Sequence, residues 1–341
     1  MISLLAHTPE ALAAAIDATP AEARRVLAHL ISGGNDSLEG MKRPVSRVVR
    51  QRIKSAFHWN RPTVVERVPD ATDGSVRYLL RYADGSVAEA VAIPLHKQGA
   101  FTVCLSSQVG CAMQCDFCAT GRLGLKRHLT AGEIVASWMV VRDEAPGRVT
   151  GAVFMGQGEP LHNYDAVIGA AATLCRPCGG RIAAKAITIS TVGLVPKIRR
   201  FADEGHPYRL IVSLTSAVQS RRATLVPVAA RWDVAEVAAA LRHYHAASGR
   251  RITVAWVLMG GVNHDAAEIE ALRELLHGIP WQLNVIDVND ARYGGYRRVT
   301  AAEEDAFFRG LRSLDVPFIR RFSVGSNKHS ACGMLAARSG A

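Results

Sequence analysis

F-T-V-C-L-S-S-Q-V-G-C-A-M-Q-C-D-F-C, residues 101–118, runs from a strand-like apolar stretch straight into three cysteines. From Phe101 onward the chain alternates between short β-branched runs and amphipathic stretches. The strand candidates after F-T-V-C-L-S are V-T-G-A-V-F-M-G, A-I-T-I-S-T, L-I-V-S-L-T, I-T-V-A-W-V-L-M and Q-L-N-V-I-D-V. Thr130 and Glu133 form a capping box ahead of I-V-A-S-W-M-V-V, and Asp233–Ala247 and Asp265–His277 carry helical periodicity. Strands that alternate with helices pair in parallel through right-handed crossovers, and a late strand, V-P-F-I-R-R-F, follows one more helix.

Upstream, residues 8–57 read as Ala-rich amphipathic helices with basic clusters at Arg24-Arg25 and Arg47–Lys54. V-V-E-R-V-P, V-R-Y-L-L-R-Y and V-A-E-A-V-A-I-P then read as an antiparallel meander turned at Asp73-Gly74 and Asp84-Gly85. The expected fold is therefore α/β, a partial (β/α)6 barrel with a small N-terminal helical domain and a short antiparallel strand extension. The expected boundaries are 1–57, 58–96 and 97–341.

The 341 residues are 49% hydrophobic and 21% charged, which supplies a large core and excludes global disorder. The apolar runs are strand-sized and the N-terminus lacks the pattern of a signal peptide, so a cytoplasmic protein without membrane contact is expected. A formal charge of +11 would favour a polyanionic partner, although no dense Lys/Arg run marks where it would bind. An equally simple reading is an Arg-rich surface that keeps the chain soluble.

Parallel α/β sheets gather their sites at the carboxyl ends of the strands. The cysteine loop follows the first strand, Gly156–Pro160 the second, Ser190 ends the third, Ser213 the fourth, and Asn289 follows the sixth. Cys111, Cys115 and Cys118, spaced C-x3-C-x2-C, can bind three irons of a [4Fe–4S] cubane and leave the fourth open. Phe117 is placed to shield it. A structural zinc ion is the competing reading, but it needs four protein ligands, and no neighbouring Cys or His completes a zinc spacing. Cys175 and Cys178 (C-R-P-C) lack further ligands and read as structural thiols.

The cysteine spacing, with G-Q-G-E-P at 156–160, resembles the signature of the radical S-adenosylmethionine superfamily. T-V-C-L-S-S-Q-V-G-C-A-M-Q-C-D-F-C-A-T-G, F-M-G-Q-G-E-P-L-H-N-Y, I-T-I-S-T-V-G-L-V-P-K-I, L-V-P-V and A-C-G-M-L resemble, in order, the RlmN/Cfr-like adenine methyltransferases of 23S rRNA. The resemblance spans nearly the whole chain. It implies a [4Fe–4S] cluster on Cys111, Cys115 and Cys118, and two S-adenosylmethionine molecules per turnover. It implies Gly158, Glu159, Ser190, Ser213 and Asn289 as cofactor-binding residues. Cys332 then carries a methyl group, Cys104 resolves the adduct, and Glu89 takes the ring proton from carbon 2 or carbon 8 of adenine. The implied partners are 23S rRNA or tRNA and an electron donor such as flavodoxin, with the enzyme a monomer.

The sequence departs from that family at Gln157 for a methionine, at Thr215 for the histidine of S-L-H-A, at Asp290 for the proline of N-P, and in R-R-F-S-V-G-S-N-K-H-S before Cys332. The cluster, carrier and resolving cysteines are spared. The same chemistry on a small-molecule or peptide acceptor is therefore the alternative reading. A non-catalytic RNA-binding protein with a structural metal is a third.

Overall fold

The computed structural model describes residues 2–289, 295–321 and 333–335. The chain opens with β1 (Ile2–Ser3), followed by α1 (Pro9–Ile16), α2 (Pro20–Leu27) and α3 (Arg47–Ala56), and β2 (Phe57–His58) pairs back in parallel with β1. Both α1 and α2 begin as their sequences dictate, with Pro at the start and Thr8 or Thr19 capping. Leu4, Leu5, Leu12, Val26 and Leu30 are buried in one continuous core with Trp138 and Val141 of the main sheet's covering layer. Polar ties reinforce this contact. Ser32 Oγ donates to the Gly179 carbonyl at 2.6 Å, Arg176 to the His7 carbonyl at 3.1 Å, and Arg61 to Asp143 at 2.6 Å.

β3 (Thr63–Pro69), β4 (Val76–Arg81) and β5 (Val87–Pro94) form the antiparallel meander read from the sequence, with Gly74 and Gly85 in the left-handed region at its turns. The meander is continuous with the main sheet, because β5 pairs antiparallel with β6 (Ala100–Cys104). A hairpin of β7 (Gln108–Gly110) and β8 (Leu125–His128) follows, with α4 (Ala119–Arg122) in its loop. The alternation then runs α5 (Ala131–Glu144), β9 (Arg148–Phe154), α6 (Tyr164–Cys175), β10 (Ile187–Thr191), α7 (Val195–Asp203) and β11 (Arg209–Ser213). It continues through α8 (Gln219–Leu225), α9 (Val234–Ser248), β12 (Ile252–Leu258), α10 (Ala266–Leu275), β13 (Trp281–Asp287), α11 (Ala301–Arg312) and β14 (Phe318–Arg321).

Strand order across the sheet is β14-β13-β12-β11-β10-β9-β6-β5-β4-β3, parallel from β14 to β6 and antiparallel beyond. The sheet is open, with β14 and β3 as its edges. The six expected strands are present and the late seventh joins them. Thr130 and Glu133 make the expected reciprocal capping bonds at α5. The β7–β8 hairpin is the main feature beyond the sequence reading. No described helix is long and apolar enough to cross a membrane.

Candidate active site

The loop bearing Cys111, Cys115 and Cys118 is carried at the tip of the β7–β8 hairpin, just beyond the carboxyl end of β6. Gly110 has φ +75°, and a Cβ there would stand 1.8 Å from the Gly124 carbonyl oxygen, which instead accepts from Cys111 N–H at 2.9 Å. Glycine is therefore obligatory where the hairpin closes below the first cysteine. Asp116 N–H donates to the Leu225 carbonyl at 3.0 Å, and Tyr296 Oη donates to the Asp116 carboxylate at 2.6 Å. Cys115 packs with Leu225, Val226, Met259 and Val288, while Met113 and Phe117 lie against the same cluster.

Cys111 and Cys115 are buried and Cys118 is half-buried. Burial pushes the Cys111 thiol up to about 12 and the Cys115 thiol well above its ordinary value, with the neighbouring thiols adding to both. The three sulfurs are thus near enough to act on one another. Among the described residues, no three His, Cys, Asp or Glu side chains are gathered around a point where a single ion could sit. The donor set suits a cubane by its chemistry: three thiols on one loop can each bind a different iron, whereas a structural zinc ion needs a fourth protein ligand.

The other strand ends face the same region. After β9, Gly158 has φ +96°, and a Cβ there would lie 2.6 Å from the Gln108 side chain. Gln108 Oε1 accepts from Glu159 N–H at 2.9 Å, and its amide nitrogen lies 3.0 Å and 3.2 Å from ring nitrogens of His128 and His162. Sequence reasoning missed Gln108, since nothing in a lone glutamine marks it as the brace of another strand's exit. The Glu159 carboxylate accepts from Leu161 N–H and Val192 N–H, both at 2.9 Å, which ties the end of β9 to the end of β10. Burial raises Glu159 to about 7 against the opposing pull of those bonds.

Ser190 lies within β10 one residue from its end, Ser213 closes β11, and Asn289 follows β13. Beyond Ser213, Thr215 adopts φ +64°, and its carbonyl accepts from Asn263 Nδ2 at 2.5 Å. Glu268 of α10 accepts from Ser216 Oγ at 2.6 Å and Ala217 N–H at 2.8 Å. Asn263 and Glu268 are two further positioning residues the sequence did not reveal.

A second group of side chains adjoins the cysteine loop. Cys104, at the end of β6, pairs in register with Val91 of β5, and both pack with Leu335 in one buried cluster. The segment 333–335 is fastened there by Ala119 N–H donating to the Gly333 carbonyl at 2.7 Å and Thr120 Oγ1 to the Leu335 carbonyl at 2.5 Å. Cys332 itself lies outside the described residues. Glu89, two residues from Val91 on the same strand, is only 1% exposed rather than the ordinary exposed strand glutamate the sequence equally allowed. One carboxylate oxygen is ion-paired with Arg77 of β4, the other accepts from Gln157 Nε2 at 3.3 Å, and the Glu89 carbonyl accepts from Ser106 Oγ at 2.6 Å. Ser106 Oγ also accepts from Gln157 N–H at 2.9 Å. Gln157, a departure from the family pattern, is thus a fully buried partner of Glu89. Cys175 and Cys178 pack against the main core, away from these groups.

The Radical SAM superfamily domain matches residues 105–276, half of the chain, and covers the cysteine loop and the ends of β9, β10, β11 and β12. The chain belongs to that superfamily. A protein of Anaeromyxobacter sp. (strain Fw109-5) named "Probable RNA methyltransferase" is 46% identical over 99% of this chain and 99% of its own length. A "Probable dual-specificity RNA methyltransferase RlmN" from Heliobacterium modesticaldum is 40% identical over 85% of this chain and 77% of its own. These relatives place the chain in the RlmN/Cfr-like methyltransferase family. Among solved structures, a radical SAM methyltransferase from Sphaerobacter thermophilus superposes with a TM-score of 0.91 at 33% identity, over 99% of this chain and all of that one. As a radical SAM methyltransferase the protein works with a [4Fe–4S] cluster and S-adenosylmethionine.

Proposed function

We propose that this enzyme methylates carbon 2 or carbon 8 of an adenine in RNA, 23S rRNA or tRNA, through a methyl group carried on Cys332. The observation that carries the reading is the docking of residues 333–335 between the cysteine loop and Cys104. Gly333, the next residue after Cys332, is bonded to Ala119, the next residue after Cys118, and Leu335 lies on Cys104. The names of the RNA methyltransferase relatives support RNA as the acceptor, and the +11 charge is consistent with it.

In this reading Cys111, Cys115 and Cys118 hold the cluster, and Gly158, Glu159, Ser190, Ser213 and Asn289 hold S-adenosylmethionine by its amino, carboxylate and ribose groups. When bound by these residues, the cluster and S-adenosylmethionine would supply a primary carbon radical able to abstract hydrogen from an S-methyl group. The residues of the chain do the rest. Cys332 accepts a methyl group by polar displacement from a first S-adenosylmethionine and presents it to the ring carbon. Glu89, fixed at both oxygens, takes the ring proton. Once the ring carbon is attached, the adduct radical returns the one electron spent on cleaving S-adenosylmethionine. Cys104, as a thiolate, then attacks the Cys332 sulfur, the carbon–sulfur pair passes to the carbon, which takes up a proton to become the methyl group, and the disulfide left behind is reduced by an external thiol. Adenine's ring carbons lack a nucleophilic pair, so direct polar methylation is not available to them.

An electron donor such as a flavodoxin, a monomeric chain and a cytoplasmic setting belong to the same proposal, as does the 1–57 segment as an RNA-facing accessory unit. The test is mass spectrometry of nucleosides from RNA of cells with and without the gene. Loss of one C-methyladenosine on deletion supports the proposal, and an unchanged nucleoside profile sinks it.

A further inference from the structure

Arg222, on α8, is 0% exposed, yet no carboxylate among the described residues pairs with it. Its guanidinium donates instead to three main-chain carbonyls, Leu214, Ser213 at 3.3 Å and Val192, while its Nε–H finds no acceptor among the described residues. Those carbonyls lie at the ends of β10 and β11, two residues beyond Ser190 and at or next to Ser213. Carbonyls solvate a cation without neutralising it, and burying an uncompensated guanidinium is costly. The natural place to look for the missing negative charge is the cysteine loop. Leu225 and Val226, one turn along from Arg222, pack on Cys115, and Leu225 accepts from Asp116 N–H at 3.0 Å. The Arg222 and Cys115 side chains are also near enough to act on each other electrostatically.

We propose that Arg222 is a positioning residue that serves as the buried counter-charge of the cluster, raising its reduction potential while it clamps together the ends of β10 and β11. The proposal rests on the assignment of the cluster to Cys111, Cys115 and Cys118. A cubane on three thiolates is anionic, and reduction adds one more negative charge. A fixed cation in a low-dielectric wall therefore stabilises the reduced state more than the oxidised one. Lysine at this position would keep the charge but could not reach all three carbonyls from one planar fork.

The test is anaerobic reconstitution of wild type, R222M and R222K with iron and sulfide. Each is then titrated with dithionite, and the reduced cluster is followed by its electron paramagnetic resonance signal. The midpoint of R222M should be more negative than that of wild type, with R222K close to wild type. Equal midpoints for wild type and R222M overturn the proposal. Should R222M hold no iron, R222K decides: retention with a wild-type midpoint supports the counter-charge, whereas loss of iron from both leaves Arg222 a purely architectural clamp and overturns it. Failure of wild type itself to take up a cluster would instead refute the cysteine assignment beneath the proposal.

Discussion

Glu89 shows what one residue can and cannot disclose. In V-A-E-A-V-A-I-P a glutamate suits an exposed position, but β5 is interior to the sheet and buried along most of its length. Its Ala88, Ala90 and Ala92 belong to the main core, while Val91 belongs to the patch around Cys104 and Leu335. Alternation cannot reveal that Arg77, on the neighbouring strand, supplies a cation to the other face. Glu89→Gln should leave Cys332 able to accept a methyl group, visible as a methyl mass increment on its peptide. Methylated RNA should fall by about 10²–10⁴-fold, the usual loss on removing a general base. Full product formation by that variant would remove Glu89 from the chemistry. The cysteines make a second prediction at this scale. Because burial holds Cys111 and Cys115 in the neutral form, metal uptake must expel protons. Iron uptake by the cluster-free chain should rise as the pH is raised from about 7 to about 9, since ligation needs the thiolates that burial disfavours. Uptake that is flat with pH would contradict this.

At the scale of elements, the long periodic stretches were legible and the short ones were not. The six main strands and the capping box at α5 follow from side-chain pattern, because each buries a continuous face. The β7–β8 hairpin escaped because it pairs only Gln108–Gly110 with Leu125–His128, too few residues for alternation to register. Its role is to aim the cysteine loop, and Gly110 is its weak point. Gly110→Ala would place a methyl group against the Gly124 carbonyl at a left-handed φ, so the hairpin must open or shift. The variant should lose about 2 kcal/mol or more of stability by thermal unfolding and retain markedly less iron after reconstitution. Wild-type iron content with an unchanged melting temperature would show that the loop does not depend on this closure.

At the scale of the molecule, the open sheet converges five strand exits on one region, and that convergence was legible from the order of motifs alone. The resemblance to the RlmN/Cfr-like family, carried by those motifs, is upheld across the chain by the relatives and the superposed structure. The docking of 333–335 on Cys104 was not legible, since A-C-G-M-L says nothing of its destination until the fold brings β5, β6 and α4 together. The continuity of the core was not legible either. Leu4, Leu5 and Leu12 share it with Trp138 and Val141, so removing residues 1–57 should strip the cover from α5. The truncated chain is expected to aggregate or to lose its cooperative unfolding transition. A soluble, cooperatively folding truncation would show that the N-terminal helices are dispensable to the core. The whole-molecule charge of +11 predicts that affinity for ribosomal RNA fragments falls steeply with added salt. Salt-insensitive or absent RNA binding would favour the small-molecule or peptide acceptor instead.

The claim that joins these scales is that Cys332 carries the methyl group and Cys104 releases it. Cys104→Ala, reconstituted with iron and sulfide and supplied with S-adenosylmethionine, dithionite and RNA, should stall after the ring carbon is attached. Nuclease and protease digestion followed by mass spectrometry should then find an adenine nucleotide bridged by one carbon to the peptide containing Cys332. Unmodified Cys332 together with RNA methylated over many turnovers by the same variant would contradict the account.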